Sequence, residues 1–321
     1  MVDVRHQVLQ VNGIRMHVME KGSGPLVLLC HGWPELGYSW RHQLTALAEA
    51  GFRAVAPDMR GYGQTEAPED VDAYSIFHLV GDMVGLVHAL GEERALIVGH
   101  DWGAPVAWTS ALMRPDVFPA VAALSVPHRG RGPAEPISML RAAGQDDYYF
   151  VYFQEPGVAE AEFERDLPTT FRKVMFHGSG DAPSEKIMGV VPRGGGFLDP
   201  LSDPKTLPAW LTQEDFDVYV SEFRQTGFRG GLSWYRNLSR NWALTAPWQG
   251  AKIMQPALFL AGTREPVLAG KRGAAALANM QKAVPFVQVR MLEGAGHWLQ
   301  QERPDEVNQA LVAFAQENWQ R

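Results

Sequence analysis

Over the first 125 residues, short apolar runs alternate with longer stretches in which apolar side chains recur every three or four positions. Residues 4–19 alternate about Asn12-Gly13, the dipeptide favoured in a two-residue hairpin turn. The segment 25–30 is continuously apolar, as expected of a strand buried on both faces. Residues 38–50 place Trp40, Leu44 and Leu47 on one helical face and stop at Gly51. Phe52–Pro57 reads as a strand leading into the glycine-containing loop Asp58–Gly63. The spacing of Ile76, Leu79, Met83 and Leu86 predicts a helix over 75–90, closed by Gly91. Ala95–Val98 predicts another buried strand, Ala104–Met113 a helix that Pro115 stops, and Val121–Val126 a further strand. Strands that alternate with helices in this way predict a parallel sheet covered by helices on both faces.

The alternation breaks near residue 129. From 131 to 246 the chain reads as helices and loops rich in aromatic residues and poor in buried-strand runs. It resumes with a strand at 256–261, a helix near 271–281, a strand at 286–291 and a last helix over 304–318. The expected organisation is therefore a core domain made of 1–130 and 247–321, interrupted by a helical cap at 131–246. At 321 residues, the length suits one large α/β domain with an insertion. The Pro/Gly-rich stretch 177–208 reads either as a mobile flap or as a long ordered surface connection.

Composition narrows the partners. A net charge of −7 argues against nucleic acid or an anionic membrane as partner, and no apolar run approaches the ~18 residues of a membrane span. The lone cysteine, Cys30, excludes an internal disulfide, and Met1–His6 lacks the apolar core of a signal peptide. A cytoplasmic protein is expected. No metal is expected, because the histidines lack ligand spacing and one cysteine cannot build a thiolate cluster. No cofactor is expected either. The loop at Gly61-Tyr62-Gly63 lacks the third glycine of a dinucleotide fingerprint, and no phosphate-binding Gly-x-x-x-x-Gly-Lys occurs.

Chemistry concentrates where the strand ending at Val98 meets the following helix. Gly99-His100-Asp101-Trp102-Gly103 has the form of a nucleophile elbow with aspartate at its centre in place of serine. A carboxylate is already ionised at neutral pH, so it needs no base before displacing a leaving group from carbon. Its partners should follow in the order acid, then histidine, each on a loop after a strand. His297, in Gly294-Ala295-Gly296-His297, is the candidate base that deprotonates a water. Glu265 is the only carboxylate in the loop after the strand ending at Ala261, and takes the orienting role by elimination. The amides of Trp33 and Trp102 are the candidate oxyanion donors. His100 and His31 read as structural hydrogen-bonding residues rather than bases.

Four motifs together resemble the α/β-hydrolase-fold epoxide hydrolases of the soluble type, over nearly the whole chain. They are His31-Gly32-Trp33-Pro34-Glu35, the elbow itself, Tyr152-Phe153-Gln154-Glu155-Pro156-Gly157 and Trp234-Tyr235-Arg236-Asn237. The resemblance implies an α/β-hydrolase fold with an inserted cap and hydration of an epoxide to a vicinal diol through an alkyl ester on Asp101. It further implies two cap tyrosines that hydrogen-bond and protonate the epoxide oxygen. Tyr235 matches one of these, and Tyr149 the other, with Tyr152 one turn along as its competitor. Two departures stand out: Glu265 replaces the commoner aspartate, and Phe150 a residue that is often polar.

The implied partners are a small apolar epoxide and water, with a homodimer left open. Phe150, Phe153, Val267 and Trp298 are the expected pocket residues. A haloalkane dehalogenase shares the aspartate and histidine and is the runner-up. A ligand receptor on the same fold, without turnover, is the third reading.

Overall fold

The computed structural model describes residues 3–183 and 189–319. Eight strands build one sheet: β1 (Arg5–Val11), β2 (Ile14–Gly22), β3 (Leu26–Cys30), β4 (Arg53–Pro57), β5 (Leu96–His100), β6 (Ala120–Leu124), β7 (Ala257–Gly262) and β8 (Val287–Leu292). Their spatial order is β1-β2-β4-β3-β5-β6-β7-β8. β1–β2 and β2–β4 pair antiparallel, and every later pairing is parallel. The hairpin turns at Asn12 (φ 47°) and Gly13 (φ 82°), two left-handed residues in succession as a tight twisted hairpin requires.

The continuous apolar runs of the central strands have the cause expected of them. Leu26, Leu28, Cys30 and Ile97 enter the core on one face, while Val27, Leu29, Leu96 and Val98 enter the core on the other. Helices α1 (Arg41–Glu49), α2 (Ile76–Ala89) and α3 (Gly103–Met113) belong to the first half of the chain. The insert between β6 and β7 supplies α4 (Pro136–Ala142), α5 (Tyr149–Tyr152), α6 (Val158–Glu164), α7 (Leu167–Gly178), α8 (Gln213–Thr226), α9 (Arg229–Arg236) and α10 (Leu238–Leu244). The sheet domain closes with α11 (Gly270–Ala283), α12 (Leu299–Glu302) and α13 (Pro304–Asn318). Leu44 and Leu47 of α1 share one core with Val307, Leu311 and Phe314 of α13; Leu79, Met83 and Leu86 of α2 share the other with Trp108 of α3.

β6 and β7 are sheet neighbours, paired from Val121 with Ala257 to Leu124 with Leu260, so the chain leaves and re-enters the sheet at one place. The insert's Phe153, Phe163, Phe171, Tyr219 and Trp234 are buried in the same core as Trp33, Ile97 and Trp108. Element boundaries differ from the sequence pattern at several ends, most visibly in three places. A 3-10 turn over Gly37–Trp40 precedes α1, and β5 runs on to His100. β6 stops at Leu124 because Ser125, at φ 68°, turns the backbone out of the strand.

Within 177–208, the stretch read either as a flap or as an ordered surface connection, residues 184–188 lie outside the described residues. The flanks are tied down: Arg264 donates to the carbonyls of Gly180 and Ala182, Val191 N donates to Asp147 O (2.7 Å), and Phe197 and Leu198 donate to Glu162. No helix among the described residues is long and apolar enough to cross a membrane.

Candidate active site

Asp101 stands between the end of β5 and the start of α3 at φ 48°, a left-handed conformation that costs a non-glycine residue about 1–2 kcal/mol. The flanking glycines are dictated by close approach. A Cβ on Gly99 would lie 2.0 Å from Gly103 O, and one on Gly103 would lie 2.1 Å from Cys30 O. Facing the elbow, Gly32 leaves room for the Asp101 side chain: a Cβ there would meet the Asp101 Cβ at 2.3 Å. The Trp33 amide donates to Asp101 Oδ1 at 2.8 Å, next to the cis bond between Trp33 and Pro34. The Trp102 amide, by contrast, makes no hydrogen bond to this carboxylate.

The loop after β8 brings in His297, whose Nε2 is 3.3 Å from Asp101 Oδ2 and whose Nδ1 is 3.0 Å from both Glu265 oxygens. Each ring nitrogen therefore faces a carboxylate, which can only accept, so both nitrogens carry protons in this state. Burial alone would push His297 down; the charges of Glu265 and Asp101 outweigh it and hold the imidazole well above its ordinary value. Burial would likewise raise Asp101, but its hydrogen bond to His297 and the imidazolium charge keep it below the usual carboxylate range. The extra methylene of Glu265 does not displace it. Its carboxylate caps the turn Pro266–Leu268 by accepting the Val267 amide at 2.9 Å, which aims it at the imidazole.

Other groups fix the His297 backbone. Its carbonyl accepts from Ser125 Oγ (2.8 Å) and from His100 Nε2 (2.7 Å), and His100 Nδ1 lies 2.6 Å from Glu35 Oε2. His100 thus has the structural place its sequence neighbourhood suggests. Ser125 was not signalled by any spacing, since only the parallel pairing of β5 with β6 and the bend after β6 bring it here.

The two tyrosines arrive from opposite ends of the insert. Tyr149 opens α5 and Tyr235 lies on α9, with ring centroids 5.8 Å apart. Tyr235 packs edge-on to Trp102 (5.1 Å) and Trp33 (6.1 Å), directly over the elbow. The neighbours in the two motifs explain the pairing. Arg236 donates to Phe153 O (3.1 Å) and ion-pairs with Glu160 (2.7 Å), while Gln154 Nε2 donates to Tyr235 O (3.1 Å) and Phe150 O (2.7 Å). Trp234 Nε1 and Asn237 Nδ2 anchor α9 to the core loop through the carbonyls of Arg60 (3.1 Å) and Val71 (2.7 Å).

Burial holds both phenols well above their ordinary pKa. Tyr148 adds to this for Tyr149 and Tyr149 for Tyr235, and the nearby Asp101 charge pushes both the same way. Tyr152, the competitor, turns away and donates to Glu162 at 2.9 Å.

Among the expected pocket residues, Phe150 packs against both phenol rings (4.6 and 5.6 Å). Phe153 is fully buried behind them, 5.3 Å from Tyr149 and 5.0 Å from Tyr235. Trp298 is sealed between the His297 ring (4.7 Å) and α7, where its indole donates to Met175 O. Val267 contributes through its amide, as described. No group of three or more His, Cys, Asp or Glu among the described residues is placed to hold a metal ion.

Comparison with known proteins identifies the fold family and the relatives of the chain. Residues 25–304 match the family described as alpha/beta hydrolase fold. The chain is 47% identical to epoxide hydrolase A of Mycobacterium tuberculosis over 96% of both chains, and 43% identical to epoxide hydrolase 2 of Siraitia grosvenorii over 98% of this chain and 99% of that one. Among solved structures, an epoxide hydrolase from an endophytic Streptomyces superposes with a TM-score of 0.94 at 45% identity, covering 99% of this chain and 97% of that one. Epoxide hydrolase A from Mycobacterium thermoresistibile superposes with a TM-score of 0.92, also at 45% identity, covering 99% and 100%. With an aspartate elbow, a histidine and acid behind it, and likeness of this degree along its whole length, the chain belongs to the epoxide hydrolases of the α/β-hydrolase fold.

Proposed function

We propose that Asp101 opens small apolar epoxides by direct attack, and that His297 then directs water onto the resulting ester to release a vicinal diol. An Asp101 oxygen attacks a ring carbon, the carbon–oxygen bond breaks, and its electron pair passes to the epoxide oxygen. Tyr149 and Tyr235 meet that oxygen, and one of them gives it a proton. Their raised pKa keeps both phenols protonated until this moment.

Ester formation removes the charge of Asp101, one of the two anions that sustain the His297 imidazolium. The imidazolium then sheds a proton, which restores the tyrosine, and the neutral ring becomes the base for water. Water attacks the ester carbonyl and its proton passes to His297. The transient oxyanion is met by the Trp33 amide, with the Trp102 amide as second donor once the carbon becomes tetrahedral. Collapse breaks the ester carbon–oxygen bond; the departing alkoxide oxygen takes a proton from His297, which regains one from the new Asp101 carboxyl, so the diol leaves and Asp101 and His297 return to their starting charges. The segment 131–246 acts as the cap that carries the proton donors. A cytoplasmic setting belongs to the same reading and is supported by the single, buried thiol of Cys30.

The carrying observation is the Asp101 carboxylate held by the Trp33 amide on one oxygen and by the His297–Glu265 pair on the other. One turnover of styrene oxide in heavy-oxygen water tests it. The diol is expected unlabelled, with the new oxygen in Asp101; label in the diol at the first turnover would refute the covalent route. In His297→Gln, an alkyl adduct on the intact protein is expected to persist. Bromide release from a bromoalkane without diol from the epoxide would instead favour the dehalogenase reading.

A further inference from the structure

We propose that Glu302 is a positioning residue that clamps the His297 loop to the insert, an inference that rests on His297 being the base. Glu302 ends α12 and is buried, with 8% of its surface exposed. Its Oε1 accepts the Trp298 amide at 2.9 Å; its Oε2 accepts the Gly296 amide at 2.9 Å and the Gly180 amide at 2.8 Å. The two loop residues it holds are the immediate neighbours of His297, whose own amide donates to Gly178 O at 2.7 Å. Three consecutive amides, 296 to 298, thus end on one carboxylate and one carbonyl of the insert.

The seam they close is backbone on backbone. A Cβ on Gly180 would lie 2.1 Å from Gly294 O, and one on Gly296 would lie 2.3 Å from Gly180 N. Side chains from the two facing strands of backbone cannot fit there, so an acceptor must reach in from elsewhere, and Glu302 does so from α12. Its neighbour Arg303 donates to the Glu302 carbonyl (3.1 Å) and faces Glu306 (3.8 Å), and the hydrogen bonds to the Glu302 carboxylate come from the main-chain amides of Gly180, Gly296 and Trp298. Such bonds to a charged acceptor are stronger than neutral ones and fix direction as well as distance.

The consequence is specific to one chemical step. Asp101 is placed by the elbow and the Trp33 amide, neither of which touches Glu302. His297 must put Nε2 at a water beside the ester carbonyl, and small misplacement of a base is costly. Loosening the clamp should therefore slow ester hydrolysis and spare alkylation.

The test measures the two steps separately by rapid quench with styrene oxide, in wild type, Glu302→Gln and Glu302→Asp, with thermal unfolding followed alongside. Glu302→Gln is expected to hydrolyse the alkyl-enzyme about tenfold more slowly while alkylating within about twofold of wild type, so that ester accumulates. Glu302→Asp, which keeps the charge with a shorter reach, is expected to fall between the two, and it carries the same test if the glutamine variant does not fold. Equal loss in both steps, or lower stability with unchanged hydrolysis, would overturn the clamp. If wild type and His297→Gln form no alkyl ester at all, the covalent mechanism fails and the clamp with it. If they do and hydrolysis by the Glu302 variants is unchanged, only the clamp fails.

Discussion

His297 sits between two carboxylates, and that arrangement makes its charge depend on the state of Asp101. While Asp101 is free, the charges of Glu265 and Asp101 hold the imidazole well above its ordinary range; on the proposed covalent route, esterified Asp101 would leave Glu265 alone to support the charge. The ester-hydrolysis rate is expected to rise with pH through a midpoint lower than the one that governs His297 in the free enzyme, as single-turnover pH profiles would show. The same shift has a sign for stability. A folded-state pKa raised above the unfolded value of about 6.5 contributes stability that is complete below that value and is lost as pH rises through the folded one. Glu265→Gln should therefore cost stability at acid to neutral pH and progressively less at alkaline pH, a trend that thermal melts across pH would reveal. Of the phenols, Tyr235 lies over Trp102 and Tyr149 beside it. Replacing either by Phe is expected to slow alkylation about 10- to 100-fold, one lost hydrogen bond to developing charge, and to leave hydrolysis of preformed ester nearly unchanged. Normal alkylation in both single variants would remove the phenols from the mechanism.

At the level of elements, the elbow works because backbones approach where side chains cannot. The β5–α3 turn touches the strand end at Cys30–His31 through Gly103, and the loop bearing Trp33 touches Asp101 through Gly32. Gly32→Ala would drive a methyl group to within 2.5 Å of Asp101 Oδ1, so alkylation is expected to fall by at least about 100-fold. Gly103→Ala meets carbonyls that cannot move aside and is expected to cost about 3 kcal/mol or more in chemical denaturation. A Gly32→Ala enzyme that alkylates normally would show that the carboxylate has freedom the geometry denies it. The motifs on α5 and α9 are legible at this scale too. Arg236 and Gln154 each directly follow an aromatic residue, Tyr235 and Phe153, and together they join the two helices that carry Tyr149 and Tyr235.

Across the whole molecule, the insert shares a core with one face of the sheet and is not a body resting upon it. Trp33 of the sheet domain is in ring contact with Phe153, Phe163, Phe197, Phe228 and Tyr235 of the insert. Insert and sheet are therefore expected to unfold in one transition. Tryptophan fluorescence and far-ultraviolet circular dichroism should give coincident curves, and separated transitions would contradict a shared core. The sheet, its order of strands and helices, and the place of the insertion could be read from periodicity, since β3, β5, β6 and β7 are buried on both faces and each carries its own signal. Asp101, His297 and Glu265 were readable because each stands just after a strand, where local sequence marks it. Tyr149 could not be separated from Tyr152 in that way: both lie on the same short helix, and only the position of Glu162, which takes the Tyr152 hydroxyl, divides them. Ser125 and the three amides gathered by Glu302 left no trace in spacing either. The sequence by itself determined the elements and the chemical groups at their ends, because those follow from short-range periodicity and turn geometry. The tertiary structure alone decided which groups meet, because contacts between residues far apart in the chain depend on how the strands pair and on how the insert packs over the sheet.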